Sequence, residues 1–151
     1  MPHTKDVLVA CGTYPPAWGG LEIMALEHIK QLKNQNFNLS LLTSSNSELK
    51  KKASEENFNV LPILSKKNKI KSINKLRKFL KKTNIKIIHT HYSHDLWIIV
   101  PALLLAGSKT KLYLTKHMAS GIPKKDIFHK FLYNRVNRIF AVSNFIKQNI
   151  L

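Results

Sequence analysis

Short apolar runs alternate with longer amphipathic stretches along almost the whole chain. Runs at Val7–Cys11, Leu39–Thr43, Val60–Leu64, Ile85–Thr90, Lys111–Thr115 and Arg138–Val142 predict strands. Several are apolar at consecutive rather than alternating positions, the pattern of strands covered on both faces in a parallel sheet. Pro62 has no N–H to give to a ladder, so the third run is predicted to be short or to lie at an edge. The intervening stretches carry a helical period. From Leu21 to Asn34 the residues Leu21, Ala25, Ile29 and Leu32 form one stripe. From Ile70 to Lys82 the stripe is Ile70, Ile73, Leu76, Phe79 and Leu80, with Lys and Arg opposite. Asp95–Ala106 is nearly all apolar and ends at Gly107, a C-cap residue; Pro101 should kink this helix or mark its start. Shorter helices are predicted over Ser47–Ser54, Ile127–Tyr133 and Asn144–Leu151, the last capped by Ser143 or Asn144. Strand and helix thus alternate about six times, which predicts an α/β fold: one Rossmann-like, doubly wound parallel sheet of about six strands.

Composition adds one strong feature. The 151 residues fit a single domain, 1–151. The 25 Lys+Arg stand against 8 Asp+Glu, a formal charge of +17. Such a surface attracts polyanions, anionic lipid or phosphorylated ligands. Aromatic residues do not interleave with the basic ones, so no specific nucleic-acid partner is expected. Cys11 is the one cysteine and cannot form an internal disulfide, which points to a reducing, cytoplasmic setting. The longest apolar stretch, Leu96–Gly107, contains Pro101 and is too short to span a bilayer.

In a doubly wound sheet ligands sit at the carboxyl ends of the strands, so the residues there are the candidates for chemistry. After the first strand comes GTYPPAWGGLE, with the stiff Pro15–Pro16 pair and then Gly19 and Gly20 opening a helix. Glycine lets backbone amides come close to a ligand, and a helix N-terminus favours negative charge there. An ordinary βα turn is the plainer reading. Neither G-x-G-x-x-G nor a P-loop is present. After the fourth strand comes IIHTHYSHD. His89 and His91 share one side of the strand and His94 follows, so a metal triad and a metallohydrolase are one reading of this segment. Ser93 stands where such hydrolases carry Asp, and Asp6, Asp95 and Asp126 do not complete a binuclear site. After the fifth strand comes LTKHMASGIPKKD, where His117 can donate to a substrate hydroxyl or a developing charge.

Three segments in order carry a resemblance. They are the first strand with its loop ending in G-G-L-E, a helix and FNLSLLTS; then IKIIHTHYSHD; then LTKH followed by LYNRVNRIFAVSNFIKQNI. Together they resemble the N-terminal half of retaining family-4 glycosyltransferases with the GT-B fold. The resemblance implies an acceptor-side domain that faces a nucleotide-sugar domain across a cleft, the latter lacking here. It implies a nucleotide sugar as co-substrate, no metal cofactor, and transfer of a hexose to an envelope polysaccharide or lipid-linked acceptor. The isolated chain is then expected to be inactive without a donor-binding partner, for which a separately encoded half would serve. It puts His117 at the donor sugar near the reacting centre, Gly19 and Gly20 near the donor phosphates or the acceptor, and His91, Tyr92 and Ser143 on the acceptor side. At Asn36–Phe37 the family often has Gly-His, a departure that concerns a turn. The basic face of Ser65–Lys82 would rest on anionic lipid at the inner face of the membrane. The contrasting reading is a non-catalytic, basic module that binds membranes or polyanions through charge alone.

Overall fold

A computed structural model describes residues 5–14, 17–119 and 126–148. The Pro15–Pro16 pair, Ser120, Gly121 and the end of the last predicted helix fall outside these residues. The strands are β1 Asp6–Cys11, β2 Asn38–Ser44, β3 Asn59–Leu64, β4 Ile85–Thr90, β5 Lys111–Lys116 and β6 Arg138–Ala141. The helices are α1 Gly20–Lys33, α2 Glu48–Glu55, α3 Lys69–Lys82, α4 Leu96–Ala106, α5 Ile127–Asn134 and α6 Asn144–Gln148. All neighbouring strands pair parallel, in the order β3-β2-β1-β4-β5-β6. The order reverses between β1 and β4, so the crevice of this doubly wound sheet opens above their carboxyl ends.

The continuous apolar runs are explained by their two faces. In β1, Leu8 and Ala10 join a core that includes Leu76, Leu80, Ile99 and Leu103 of α3 and α4. Val9 and Cys11 join a second core with Ala25 and Ile29 of α1 and Leu49 and Ala53 of α2. Each core alone needs every second residue, and together they need all of them. Cys11 is fully buried, and desolvation pushes its thiol far above the usual range, helped by the nearby Asp95 charge.

Pro62 lies on β3, the edge strand, as its missing N–H requires. Gly107 closes α4 in the left-handed conformation, φ 62°. Asn36 takes the same region, φ 59°, just after α1, a geometry that asparagine tolerates better than most residues other than glycine. Of the two expectations for Pro101, the start of the helix is not met: it lies inside α4, which forgoes one backbone bond. One expectation needs correction. Ile70 is 75% exposed. Six residues before Leu76, it sits about 120° round the helix from the centre of the buried stripe. Ser72 occupies that stripe instead, its hydroxyl donating to the Ile63 carbonyl at 2.7 Å. Among the described residues, no helix is long and apolar enough to cross a membrane.

Candidate functional site

The crevice floor is set by two residues 83 positions apart. The Gly12 amide donates to Asp95 Oδ2 at 3.0 Å, and Thr90 Oγ1 lies 3.1 Å from the same oxygen. A methyl group at Gly12 would clash with Asp95 Oδ1 and come within 2.7 Å of Leu64 Cδ1. Gly12 is therefore the position on this loop where the fold demands glycine. Burial raises the Asp95 carboxyl to about 7, against the opposing pull of the Thr90 and Gly12 hydrogen bonds. Sequence reasoning gave Gly12 no role of its own and weighed Asp95 only for a binuclear metal site, because their contact spans 83 positions.

Above this floor α1 begins. Gly20 is its first residue, as expected, and Gly19 is the N-cap. The Gly19 amide is already engaged: it donates to the buried Glu22 carboxylate at 2.8 Å. Glu three residues after the cap is half of a capping box, a spacing visible in the sequence. Gly19 thus brings no free amide to a ligand. Among the described residues, a side chain at Gly20 would meet nothing within 4 Å. The fold does not require glycine there, and the backbone of this first turn lies open.

Beside it stands a row of imidazoles. Alternation along β4 puts His89 and His91 on the face that α1 covers, and α1 sends His28 down between them. His28 Nδ1 is 2.8 Å from His91 Nε2, and His91 Nδ1 is 2.9 Å from His117 Nε2 just past β5. His89 stacks on His91, ring centres 5.1 Å apart, and its Nε2 is 2.7 Å from Thr115 Oγ1. Burial lowers all four rings, His89 to about 4 and His91 to about 2, with the neighbouring imidazoles adding to the effect on those two. At neutral pH the row is uncharged. Each neutral ring has one N–H and one bare nitrogen, so the bonds run in one sense through His28, His91 and His117. When His28 donates to His91 and His91 to His117, His117 keeps an N–H on Nδ1 for a hydroxyl or oxyanion.

His91, Tyr92 and His117 line one small cavity of about 30 Å³ together with Leu21 of the first turn of α1 and Lys116. The predicted His91, Tyr92 and His117 are thereby brought to the same rim, beside Leu21, the residue that follows Gly20. Ser143 is on the carboxyl side of β6, but its hydroxyl caps α6 through the Ile146 amide, 3.3 Å, and it lines a different hollow with Phe140 and Val142. The metal triad predicted as His89, His91 and His94 does not form as such. His94 is exposed, with its ring against Tyr92, one turn past the strand end. His28 takes its place: His28, His89 and His91 offer ligand nitrogens all within 4.8 Å of one another. Sequence reasoning missed His28, since nothing local says which helix face meets β4.

The comparisons agree with this architecture. The chain aligns along 97% of its length with the lipopolysaccharide outer core galactosyltransferase WaaB in its apo form, TM-score 0.74 at 15% identity, covering 42% of that chain. It aligns along 99% with a glycosyltransferase from Rickettsia africae ESF-5, TM-score 0.77 at 23% identity, covering 39% of it. Anabaena Alr3699/HepE, solved in complex with UDP and glucose, gives TM-score 0.72 at 16% identity over 97% of this chain and 40% of that one. The chain therefore spans about two fifths of the length of these structures. A sequence search of curated proteins found no match. The model of glycosyltransferase family 4 matches residues 18–151. A single parallel sheet of GT-B N-terminal type and a family match over nearly its whole length show that the chain belongs to glycosyltransferase family 4.

Proposed function

We propose that this chain is the acceptor-side domain of a retaining glycosyltransferase that moves a hexose from a nucleotide sugar to an envelope polysaccharide or lipid-linked acceptor. The observation that carries the reading is the His91–His117 hydrogen bond at the rim of the crevice, beside the open first turn of α1. An uncharged imidazole held by a second one is a preorganised donor, and such donors are worth most where water is excluded. In this reading His117 donates to a hydroxyl of the donor sugar near the anomeric carbon. The amides of the first turn, from Gly20 onward, meet a phosphate or a sugar hydroxyl. His91 and Tyr92 border the acceptor, and Ser143 flanks it. The departing nucleoside diphosphate needs cationic or amide donors of its own, and a facing nucleotide-sugar domain supplies them. No metal enters the transfer.

The test pairs the chain with a donor-binding domain and offers labelled UDP-, GDP- and ADP-hexoses with bacterial membrane and polysaccharide acceptors. Label is expected in the lipid or polysaccharide fraction with the donor's anomeric configuration kept. His117→Ala should cut kcat roughly 100-fold, the cost of removing one preorganised donor. A variant as fast as the parent would remove His117 from the reaction. Inverted product would overturn the retaining mechanism, and no transfer from any nucleotide sugar would overturn the reading itself.

The same reading places the protein at the cytoplasmic face of the membrane. Lys69, Lys71, Lys75, Lys78, Lys81 and Lys82 of α3 are exposed, and each cation near an anionic surface is worth about 1 kcal/mol. The chain should sediment with phosphatidylglycerol vesicles at low salt and come off as salt shortens the Debye length to about 8 Å. Equal binding to purely zwitterionic vesicles would contradict this.

A further inference from the structure

We propose that His28, His89 and His91 form a binding site for one divalent transition-metal ion, with a fourth position left for water or an anion. Three imidazoles, from α1, from β4 and from the residue just past β4, present ligand nitrogens within 4.8 Å of one another. In a tetrahedral site with Zn–N of about 2.0–2.1 Å, neighbouring nitrogens are about 3.3 Å apart. The His28–His91 pair, now 2.8 Å apart, opens by about half an ångström, and the wider separations close through small side-chain rotations.

In two of the three rings a nitrogen is already tied, which leaves Nδ1 of His89 and Nε2 of His91 for the ion. His89 Nε2 meets Thr115 Oγ1 at 2.7 Å, and His91 Nδ1 meets His117 Nε2 at 2.9 Å. A ligating histidine whose other ring nitrogen is hydrogen-bonded is oriented and fixed in tautomer before the metal arrives. All three ligands are nitrogens of neutral imidazole, a set that suits zinc, nickel, cobalt or copper and not magnesium or calcium. The proton now shared between His28 Nδ1 and His91 Nε2 moves to the other nitrogen of its own ring, so binding releases none. With His91 bound through Nε2, its Nδ1 carries the proton and donates to His117. The metal thus clamps α1 to β4 and sets the direction of the imidazole row. It sits behind His117 and is no part of the transfer proposed above.

The experiment uses the untagged 151-residue chain, freed of metal with a chelator and titrated with Co²⁺. The visible d–d band of tetrahedral cobalt is expected to saturate at one equivalent and to vanish when Zn²⁺ displaces the ion. His28→Gln and His89→Gln should weaken binding at least about tenfold, while His94→Gln, outside the cluster, titrates like the parent. No saturable band, or identical curves for His28→Gln and the parent, would overturn the site. If a variant fails to fold by circular dichroism, histidine ring NMR of the parent decides: Zn²⁺ must shift His28, His89 and His91 and leave His129 in place, and any other pattern refutes the assignment.

Discussion

Gly12→Ala is expected to lower the stability of the chain by about 3 kcal/mol, the sum of an overpacking cost and a strained buried hydrogen bond. The added methyl group meets Asp95 Oδ1 and Leu64 Cδ1, and neither can retreat. Leu64 is 1% exposed and Asp95 2%, and the Asp95 carboxylate is bound to the Gly12 amide itself. For a chain of this length the midpoint of thermal unfolding should fall by about 10 °C. Gly20→Ala is the control. With none of the described residues near the new methyl group, its midpoint should stay within about 2 °C of the parent. Differential scanning calorimetry of the three proteins decides. A Gly12→Ala midpoint equal to the parent's would mean that the β1 loop yields freely, and the crevice floor would lose its rigid support.

Asp95→Asn is expected to stabilise the chain at alkaline pH by about 2–4 kcal/mol and to lose that advantage as the pH falls. The sign follows from the raised carboxyl. The folded-state value is about 7 against an ordinary 3.8, so between these values the folded state holds a proton that the unfolded state has released. Stability of the parent then falls as pH rises from about 4 to 7, and above 7 the full cost of a buried negative charge is present. Asparagine keeps an acceptor for the Gly12 amide and carries no charge to desolvate. Urea unfolding of both proteins at pH 5 and pH 8.5 measures the difference, which should shrink by more than half at the lower pH. A difference independent of pH would show that Asp95 ionises freely in the folded chain. Asp95→Ala, which leaves the buried Gly12 N–H without its partner, should instead be less stable than the parent at both values.

The contrast between what the residues announced and what they hid has a physical basis. The β1 run was legible because a strand with a core on each face needs apolar side chains at every position, and Leu8, Val9, Ala10 and Cys11 supply them. His89 and His91 were legible as neighbours because the strand period is two. Pro62 left β3 to be short or to lie at an edge, and the six-residue strand lies at the edge. By contrast, Gly12 and Asp95 meet across 83 positions of sequence. Their contact depends on how β1 and β4 are registered, which no local pattern encodes. His28 is hidden for the same reason, since its row mates lie 61 and more positions away, starting with His89. The Gly-Gly pair misled in one half. The capping spacing from Gly19 to Glu22 was present in the sequence, and it spends the Gly19 amide inside the helix end. Gly20 remains open to whatever enters the crevice.

The central strand carries its own clock. Cys11, the one cysteine of the chain, is sealed between α1 and the sheet at the end of β1, one residue before Gly12. A thiol reagent added to the folded protein can react only when that strand opens, so its rate counts excursions of the very segment on which the crevice is built. The same colour change that reports the parent's opening reports how often the Gly12→Ala chain lets go.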